Sequence, residues 1–422
     1  MSCVYCDPKS RMTMVSRSMA GGVSKRGLYP AAVRGPDRKR APGRRLRPAS
    51  AARVGPDAIV VGPRMRSLLR NLLLLAAAAT ACRHRPPVAP RPLFPMTPVW
   101  TTPLSAAVEG PLATDGTSVY VATRDGTVRR LDGTTGTMRW EAEQRPGVLA
   151  AAGGLLVVRG PQGTVWAIDA VGGSERWKVE SGVPGALPPV IYKDAVVVAG
   201  QGLAALDAAS GRTRWSLPDA RVTAPPQPWG ALLLVGEADG ALRCRDLATG
   251  AVLWSVPTAR PLLAPPAVDD RDRILLGTTD RRFLSLDGRK KGRERWNWHI
   301  GGDVQAPPAL TRDLVLFTSH EDVLYALHRG NGHLAWRAAL PSRPVSGPVL
   351  YGDGVLVACF GARPNETFLI GFDVASGRRQ GDLKAPGEVR APPVVVRDLV
   401  VMGLRERAVA ALRLGEVEAP NP

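Results

Sequence analysis

Tryptophan recurs along this chain at nearly constant intervals, and this regularity limits the possible folds more than any other feature. Six of the ten Trp residues lie 37 to 42 residues apart, at Trp140, Trp177, Trp215, Trp254, Trp296 and Trp336. A period of about 40 residues is typical of repeat folds in which each unit is one supersecondary element. Such a chain builds its core by stacking similar units next to one another.

Two further markers recur in phase with the Trp residues. An Asp-x-x-x-Gly turn precedes each of them, as Asp207–Gly211 precedes Trp215. The other copies or variants are Asp132–Gly136, Asp169–Gly173, Asp246–Gly250, the longer Asp287–Gly292, His328–Gly332 and Asp373–Gly377. Prolines open the later units, at Pro188-Pro189, Pro225-Pro226, Pro265-Pro266, Pro307-Pro308, Pro348 and Pro392-Pro393. Because Asp accepts hydrogen bonds from the backbone ahead of it and Gly tolerates a positive φ, this pattern predicts a tight turn.

The third unit shows the strand content of one repeat. Val190–Tyr192 is predicted as a short strand, Ala195–Ala199 as a strand buried on both faces, and Leu203–Leu206 as a third strand. Arg212–Trp215 follows as an outer strand. Four strands in about 40 residues are typical of one blade of a β-propeller.

The same pattern predicts eight units. They begin near Leu112, Leu149, Pro188, Pro225, Pro265, Pro307, Pro348 and Pro392. The last unit ends at Leu414 without an outer strand, whereas Val99–Thr101 resembles an outer strand with no unit before it. We therefore expect an all-β, eight-bladed β-propeller of four-stranded antiparallel blades, with the strand near Trp100 joining the last blade and closing the ring. If one weak unit is misread, the ring has seven blades.

The repeated Trp and Asp side chains are interpreted as structural. A residue that recurs in every unit is expected to have a structural role common to all units. Each Trp is therefore expected to pack between blades, and each turn Asp to cap its own backbone. The alternatives are ligand-stacking platforms and metal ligands. Gln380 replaces Trp in the seventh unit, which also carries an insertion at residues 361–366. The insertion, with Arg363, Asn365 and Glu366, is a candidate partner contact, although sequence drift would also produce it.

The N-terminal part carries most of the net charge. Residues 1–82 hold sixteen Lys or Arg and three Asp or Glu, so they contribute +13 of the formal net charge of +19. Residues 1–64 show no apolar periodicity and are predicted to be a disordered or mis-assigned extension. Residues 83–422 are only mildly basic and show no basic and aromatic stripe, which argues against nucleic-acid binding.

Residues 65–82 have the order of an export signal. A cationic start at Met65–Arg70 precedes an apolar run at residues 72–79 and a small-residue end at Cys82. The run is shorter than the roughly 20 residues that a membrane-spanning helix needs. Cys82 after small residues resembles a bacterial lipobox, which implies lipidation of its sulfur and Met65 as the true start. A plain signal peptide with an incidental Cys is the alternative.

Two short segments flank the predicted propeller of residues 99–414. Residues 83–98 are rich in Pro and are predicted to form a semi-rigid tether between the anchor and the ring. Residues 415–422 are predicted to form a C-terminal tail.

The repeat resembles a known family. The pattern Ala-Leu-Asp-x-x-Ser-Gly-x-x-x-Trp at residues 205–215 is similar to the pyrroloquinoline-quinone-like repeat, and the likeness covers about residues 99–414. An exported lipoprotein made of eight such blades resembles the BamB family of the outer-membrane β-barrel assembly machinery. The resemblance implies a non-catalytic scaffold, lipid-anchored at the periplasmic face of the outer membrane, which binds barrel-assembly subunits as a monomer within a complex. Arg83 after the cysteine, in place of the Asp associated with inner-membrane retention, also favours the outer membrane.

The rival function is a quinone-dependent alcohol or sugar dehydrogenase, because such enzymes share these repeats. They need a calcium ion held by oxygen ligands, a carboxylate base and, in many members, a vicinal Cys pair. The sequence has no Cys-Cys pair and no Cys-x-x-Cys-His haem motif, and its loops are short. We therefore expect no enzyme activity and no cofactor or metal. A propeller that senses glycans or other ligands in the envelope is a third possibility.

The remaining reactive side chains are weak site candidates. Cys244 and Cys359 lie in units four and seven, with two whole blades between them, which is too far for a disulfide. His320, His328 and His333 lie on successive strands and turns, so surface positions are favoured over a zinc site.

The fifth unit carries a basic turn, with Arg289, Lys290 and Lys291 in succession. This turn is the second candidate partner contact, for an acidic protein, an anionic lipid or a polysaccharide. A solvated loop is the alternative.

Overall fold

The computed structural model describes residues 93–414, and this range forms eight four-stranded antiparallel sheets arranged as the blades of a β-propeller. Strands β2 to β29 build blades 1 to 7 in chain order, four strands to a blade. First strands of neighbouring blades contact one another, as β2 contacts β6 and β30, so these strands surround the centre of the ring. The predicted fold class and blade count are confirmed.

The strand bounds follow the predicted repeat. Blade 1 consists of β2 (Ala113–Thr114), β3 (Ser118–Ala122), β4 (Val128–Asp132) and β5 (Met138–Ala142). Blade 2 consists of β6 (Val148–Ala152), β7 (Leu155–Arg159), β8 (Thr164–Asp169) and β9 (Glu175–Glu180). Blade 3 consists of β10 (Val190–Tyr192), β11 (Ala195–Gly200), β12 (Gly202–Asp207) and β13 (Thr213–Leu217). Blade 4 consists of β14 (Gln227–Trp229), β15 (Leu232–Glu237), β16 (Ala241–Asp246) and β17 (Val252–Pro257).

The second half of the ring repeats this arrangement. Blade 5 consists of β18 (Ala267–Val268), β19 (Arg273–Gly277), β20 (Arg282–Asp287) and β21 (Arg293–His299), with a 3₁₀ turn at Gly288–Lys290. Blade 6 consists of β22 (Ala309–Leu310), β23 (Leu314–Ser319), β24 (Val323–His328) and β25 (Leu334–Ala339). Blade 7 consists of β26 (Val349–Tyr351), β27 (Gly354–Phe360), β28 (Thr367–Asp373) and β29 (Arg379–Lys384). Blade 8 consists of β30 (Val394–Val396), β31 (Leu399–Leu404), β32 (Ala408–Leu414) and β1 (Met96–Pro103).

Blade 8 is assembled from both ends of the described chain. Strand β1 pairs antiparallel with β32, and Trp100 lies opposite Ala411. One apolar cluster packs Val401 of this blade against Val119 of blade 1. Another packs Val400 against Leu356 of blade 7. The N-terminal strand is therefore the outer strand of the last blade, and that blade contacts both of its neighbours.

The core is distributed between the blades. Within residues 93–414, eight apolar clusters each join one pair of adjacent blades. Between blades 5 and 6, for example, the rings of Phe283 and Phe317 stack with their centroids 3.9 Å apart. Second strands such as Ala195–Gly200 are buried on both faces, as the apolar run predicts. Each interface removes apolar surface from water, which is the main driving force for assembling such repeats.

The repeated turns and Trp residues meet across these interfaces. Asp207 Oδ1 accepts hydrogen bonds from the backbone of Ala209 and Ser210, so the turn Asp caps its own turn. Five Trp side chains donate an Nε1–H hydrogen bond to the next blade. The acceptor is the backbone carbonyl of the second residue of that blade's turn. The pairs are Trp140–Ala170, Trp177–Ala208, Trp215–Leu247, Trp296–Arg329 and Trp336–Val374. The structural interpretation of both residue types is confirmed.

The interface between blades 7 and 8 departs from this rule. The prediction that Gln380 replaces the Trp is wrong by one residue, because Gly381 pairs with Gly371 as Trp215 pairs with Ala205 in blade 3. This outer strand faces a blade whose third and fourth strands come from opposite ends of the chain, so no Asp-x-x-x-Gly turn joins them. Gln380 Oε1 instead accepts a hydrogen bond of 2.8 Å from Leu93 N, and Leu93 is fully buried. Phe94 packs beside it, next to Gly371 and Gly381. The segment just before β1 therefore fills the place that Trp occupies elsewhere.

This packing changes one predicted boundary. The tether expected over residues 83–98 cannot extend to residue 98, because Leu93 is buried and β1 begins at Met96. The ring therefore includes the chain from residue 93. The predicted extension at residues 1–64, the predicted signal at residues 65–82 and the predicted tail at residues 415–422 lie outside the described residues. Within the described range, no helix is long and apolar enough to cross a lipid bilayer.

Candidate partner-binding site

The loops of the ring lie on two opposite faces. One face is formed by the loops between second and third strands, such as residues 361–366, and by the connections between blades, such as residues 385–393. We call this face the upper face. The lower face carries the other turns of each blade, including Asp207–Gly211 and the basic turn at residues 288–292. The two candidate contacts are therefore on opposite faces, and no compact partner surface includes both.

The blade 7 insertion forms hydrogen bonds with its own blade and with blade 8. Glu366 accepts a hydrogen bond of 2.7 Å from Lys384 Nζ. This hydrogen bond lowers the pKa of Glu366 by more than desolvation raises it. Asn365 adopts a left-handed conformation with φ of 63° and accepts from Arg405 Nη1 at 2.6 Å. Arg363 is exposed. The insertion thus contributes to a defined surface that continues into blade 8.

That surface contains a cavity lined by arginines. The cavity measures about 430 Å³ and lies between the upper loops of blades 8 and 1. Four Arg side chains line it: Arg124 from blade 1, and Arg390, Arg405 and Arg407 from the loops of blade 8. Glu109 is the one acidic residue among the lining residues described. The other residues that line the cavity are small or apolar: Ala107, Val108, Gly110, Ala391, Gly403 and Leu404.

A buried carboxylate organises two of these arginines. Glu388 is 5% exposed and accepts from Arg390 at 2.6 Å and from Arg405 at 2.9 Å. Burial alone would raise the pKa of Glu388, but the hydrogen bonds from Arg405 and Arg390 outweigh it, and the pKa lies below its ordinary value. The carboxylate is therefore ionised at neutral pH and holds both guanidinium groups at the cavity.

The other two arginines have no such partner. Arg124 and Arg407 are exposed, and neither side chain forms an ion pair or hydrogen bond with any residue from 93 to 414. Arg407 has a φ of 59° and lies in the tight loop between β31 and β32. These two guanidinium groups can therefore donate hydrogen bonds to an anionic group from outside the ring.

The basic turn of blade 5 is more strongly paired than its sequence indicates. Arg289 Nε donates to Asp272 at 2.6 Å, and Lys290 belongs to the 3₁₀ turn capped by Asp287. Lys291 has a left-handed φ of 52° and is exposed. Lys290 also lines a cavity of about 370 Å³ with Arg293, Arg295 and Trp296, but Asp287 and Glu294 line it too. The positive and negative side chains that line this lower-face cavity are thus more nearly equal in number than those that line the upper-face cavity.

None of the other candidate Cys and His residues described lines the upper-face cavity. Cys244 and Cys359 are both free and buried, as predicted. Burial raises the pKa of Cys244 to about 11 and, with the charge of Asp322, that of Cys359 to about 12. His328 and His333 lie on the lower face, whereas His320 lies on the upper face. Among residues 93–414, no three His, Cys, Asp or Glu side chains converge as metal ligands. Cys82 lies outside the described residues.

Sequence reasoning missed the arginine-lined cavity. Arg124 is separated from Arg390 by most of the ring in sequence, and the two meet only because blade 8 packs against blade 1. The available signal was the density of Arg in the last unit, where Arg390, Arg405 and Arg407 all fall in loops.

Solved structures with the same fold include BamB, a designed protein and dehydrogenases. BamB from Moraxella catarrhalis is 20% identical, with a TM-score of 0.65 over 77% of this chain and 99% of that chain. The computationally designed protein Ika8 is 17% identical, with a TM-score of 0.64 over 76% of this chain and 99% of that chain. A europium-containing methanol dehydrogenase is 14% identical, with a TM-score of 0.60 over 76% of this chain and 93% of that chain. At these identities the likeness shows the fold alone.

Sequence comparison identifies the family. No curated protein sequence matches the chain. A family model described as outer membrane protein assembly factor BamB matches residues 97–149, 144–337 and 238–417, which together span the whole ring. The chain therefore belongs to the BamB family of propellers with pyrroloquinoline-quinone-like repeats.

Proposed function

We propose that this protein is a non-catalytic scaffold of the cell envelope that binds protein partners during outer-membrane protein assembly. The observation that carries the proposal is the BamB family match over the entire ring. The upper face supports it, because an ordered insertion and an arginine-lined cavity form one continuous surface there. A rigid ring with such a surface can hold a partner without any chemical step.

Attachment to the membrane is part of the proposal. Residues 65–82 would direct export, and Cys82 would carry the lipid. Ten residues separate Cys82 from Leu93, which is fixed between blades 7 and 8. Replacing Cys82 with Ala should move the protein from the membrane fraction to the soluble periplasmic fraction.

A quinone-dependent dehydrogenase is the second candidate, because quinohemoprotein alcohol dehydrogenases share the fold. Their calcium ion needs several carboxylate and amide oxygens directed at one point. In the part of the chain that the structure describes, the Asp side chains of the repeated turns cap their own backbones. These five Asp side chains are therefore engaged in their own turns, and we assign no step to a calcium–quinone centre.

Affinity recovery of the full chain from native membranes tests the proposal. After mild crosslinking, we expect a barrel-assembly subunit of the outer membrane to co-purify with the wild-type protein. Recovery of cell-wall enzymes alone would contradict the assembly role. In parallel, the purified protein is mixed with the quinone and calcium, and dye reduction is measured across alcohols and sugars. Substrate-dependent dye reduction with one quinone bound per chain would replace the scaffold by an enzyme.

A further inference from the structure

The cavity at the junction of blades 8 and 1 has the features of a built anion site. Two of its arginines, Arg390 and Arg405, are held by the buried Glu388, whereas Arg124 and Arg407 have no acidic partner within residues 93–414. An arginine presents a planar fork of N–H donors that matches a carboxylate or phosphate in two-point contact. Arginines converging on a cavity with Glu109 as the one acidic lining residue therefore favour an anionic ligand.

We propose that this cavity binds the carboxylate side chains of an acidic segment on a protein partner. The inference rests on the proposed scaffold function and names the chemistry of its partner. Arg124 and Arg407 would bind the incoming carboxylates, while Arg390 and Arg405, which share the charge of Glu388, contribute one net positive charge. The partner would thus contact blade 1 and blade 8 at the same time.

Carboxylates fit this cavity better than phosphates. Glu388 already shows how the local arginines bind a carboxylate, with contacts of 2.6 and 2.9 Å. The walls formed by Val108 and Leu404 are apolar and can cover the methylene groups of a Glu side chain.

Binding across this junction has a consequence for stability. Blade 8 consists of strands from both ends of the ring, so a ligand held by Arg124 and Arg407 links two blades that no interstrand pairing connects. A ligand that binds only the folded ring also stabilises it by mass action. An acidic ligand should therefore raise the thermal unfolding temperature of the ring.

Fluorescence anisotropy with a labelled hexaglutamate peptide tests the proposal on the full-length protein. The test variant carries Arg124→Gln and Arg407→Gln, which keep polar side chains but remove both unpaired charges. The matched control carries Arg260→Gln and Arg281→Gln, because both arginines are also exposed on the upper face, Arg281 in the loop between β19 and β20 and Arg260 in the connection between blades 4 and 5. Hexalysine and inorganic phosphate serve as ligand controls.

We expect the wild-type protein and the control variant to bind hexaglutamate equally. The test variant should bind at least about tenfold more weakly, since it lacks two charge-assisted contacts. Binding should also weaken as salt concentration rises. Equal binding by the test variant, equal loss in the control variant, or phosphate binding without hexaglutamate binding would each overturn the proposal. If hexaglutamate binds as expected but no assembly subunit is recovered from membranes, the cavity assignment stands and the assembly role fails.

Discussion

Trp177 of blade 2 lies against Gly211 of blade 3 and donates its Nε1–H to the neighbouring Ala208 carbonyl at 2.9 Å. Gly211 has a φ of 73°, and a Cβ added to it would lie 2.7 Å from Trp177 Cε3. The Gly is thus required by the turn and by the Trp of the preceding blade. Two sequence markers that recur in phase are therefore two halves of one contact between neighbouring units.

Substitution of Gly211 with Ala should destabilise the ring through both effects. The positive φ costs an L-residue roughly 1 kcal/mol, and displacement of the Trp177 ring adds about 1–3 kcal/mol of overpacking. Gly230→Ala is the matched control, because Gly230 has a φ of 65° and no atom within 4 Å of an added Cβ. Urea unfolding should show a clearly larger loss of free energy for Gly211→Ala. Equal losses would mean that the Trp contact adds nothing.

Leu93 should be as important to stability as a residue of the central core. It is fully buried between blades 7 and 8, so Leu93→Ala should reduce the free energy of unfolding by about 2–5 kcal/mol. Leu253→Ala is the control, because Leu253 is 50% exposed on an outer strand and its loss should change stability by only about 0.5 kcal/mol. A small effect at Leu93 would show that residues before β1 are a tether after all.

Glu388 should make stability depend on acidity. Its pKa in the folded ring lies below the ordinary value of 4.5, because Arg405 and Arg390 bind the carboxylate more strongly than burial disfavours it. A carboxyl group with a lowered pKa contributes stability above its ordinary pKa, and this contribution is lost as pH falls through the folded pKa. From about pH 6 to about pH 3, the wild-type ring should lose more stability than Glu388→Gln. Parallel pH profiles for the two proteins would contradict this assignment.

Cys244 and Cys359 should resist alkylation in the native protein. Burial raises their pKa values to about 11 and about 12, so almost no thiolate is present near pH 8. Iodoacetamide labelling followed by peptide mass spectrometry should find both residues unmodified in buffer and modified in urea. Rapid labelling of either residue in buffer would show that its blade interface opens readily.

Much of the fold could be predicted because each unit repeats the same local signals. In blade 3 the predicted strand Ala195–Ala199 differs from the observed strand by one residue. The pairing of Trp100 with Ala411 could be predicted because the two incomplete units complement each other. The position of Leu93 could not, because a Pro-rich segment carries no periodic signal and its burial depends on the space beside Gly371.

The candidate site was only partly predictable. The loop of blade 7 is longer than the equivalent loops, and this length made Asn365 a candidate contact from sequence. In the structure Asn365 accepts a hydrogen bond from Arg405. The cavity itself depends on contacts between the first and last blades, which no local pattern encodes. The basic turn at Lys290 stood out in sequence, yet Arg289 beside it is already paired with Asp272.

Site-specific photocrosslinking in intact cells tests the scaffold role most directly. A photoreactive residue is placed at position 407 in the upper-face cavity and, as controls, at positions 281 and 291. We expect position 407 to crosslink to an outer-membrane assembly protein, and Arg124→Gln in the same chain to weaken that crosslink. The two control positions should give little product. Absence of any crosslink at position 407, or equal crosslinking from all three positions, would contradict partner binding at this surface.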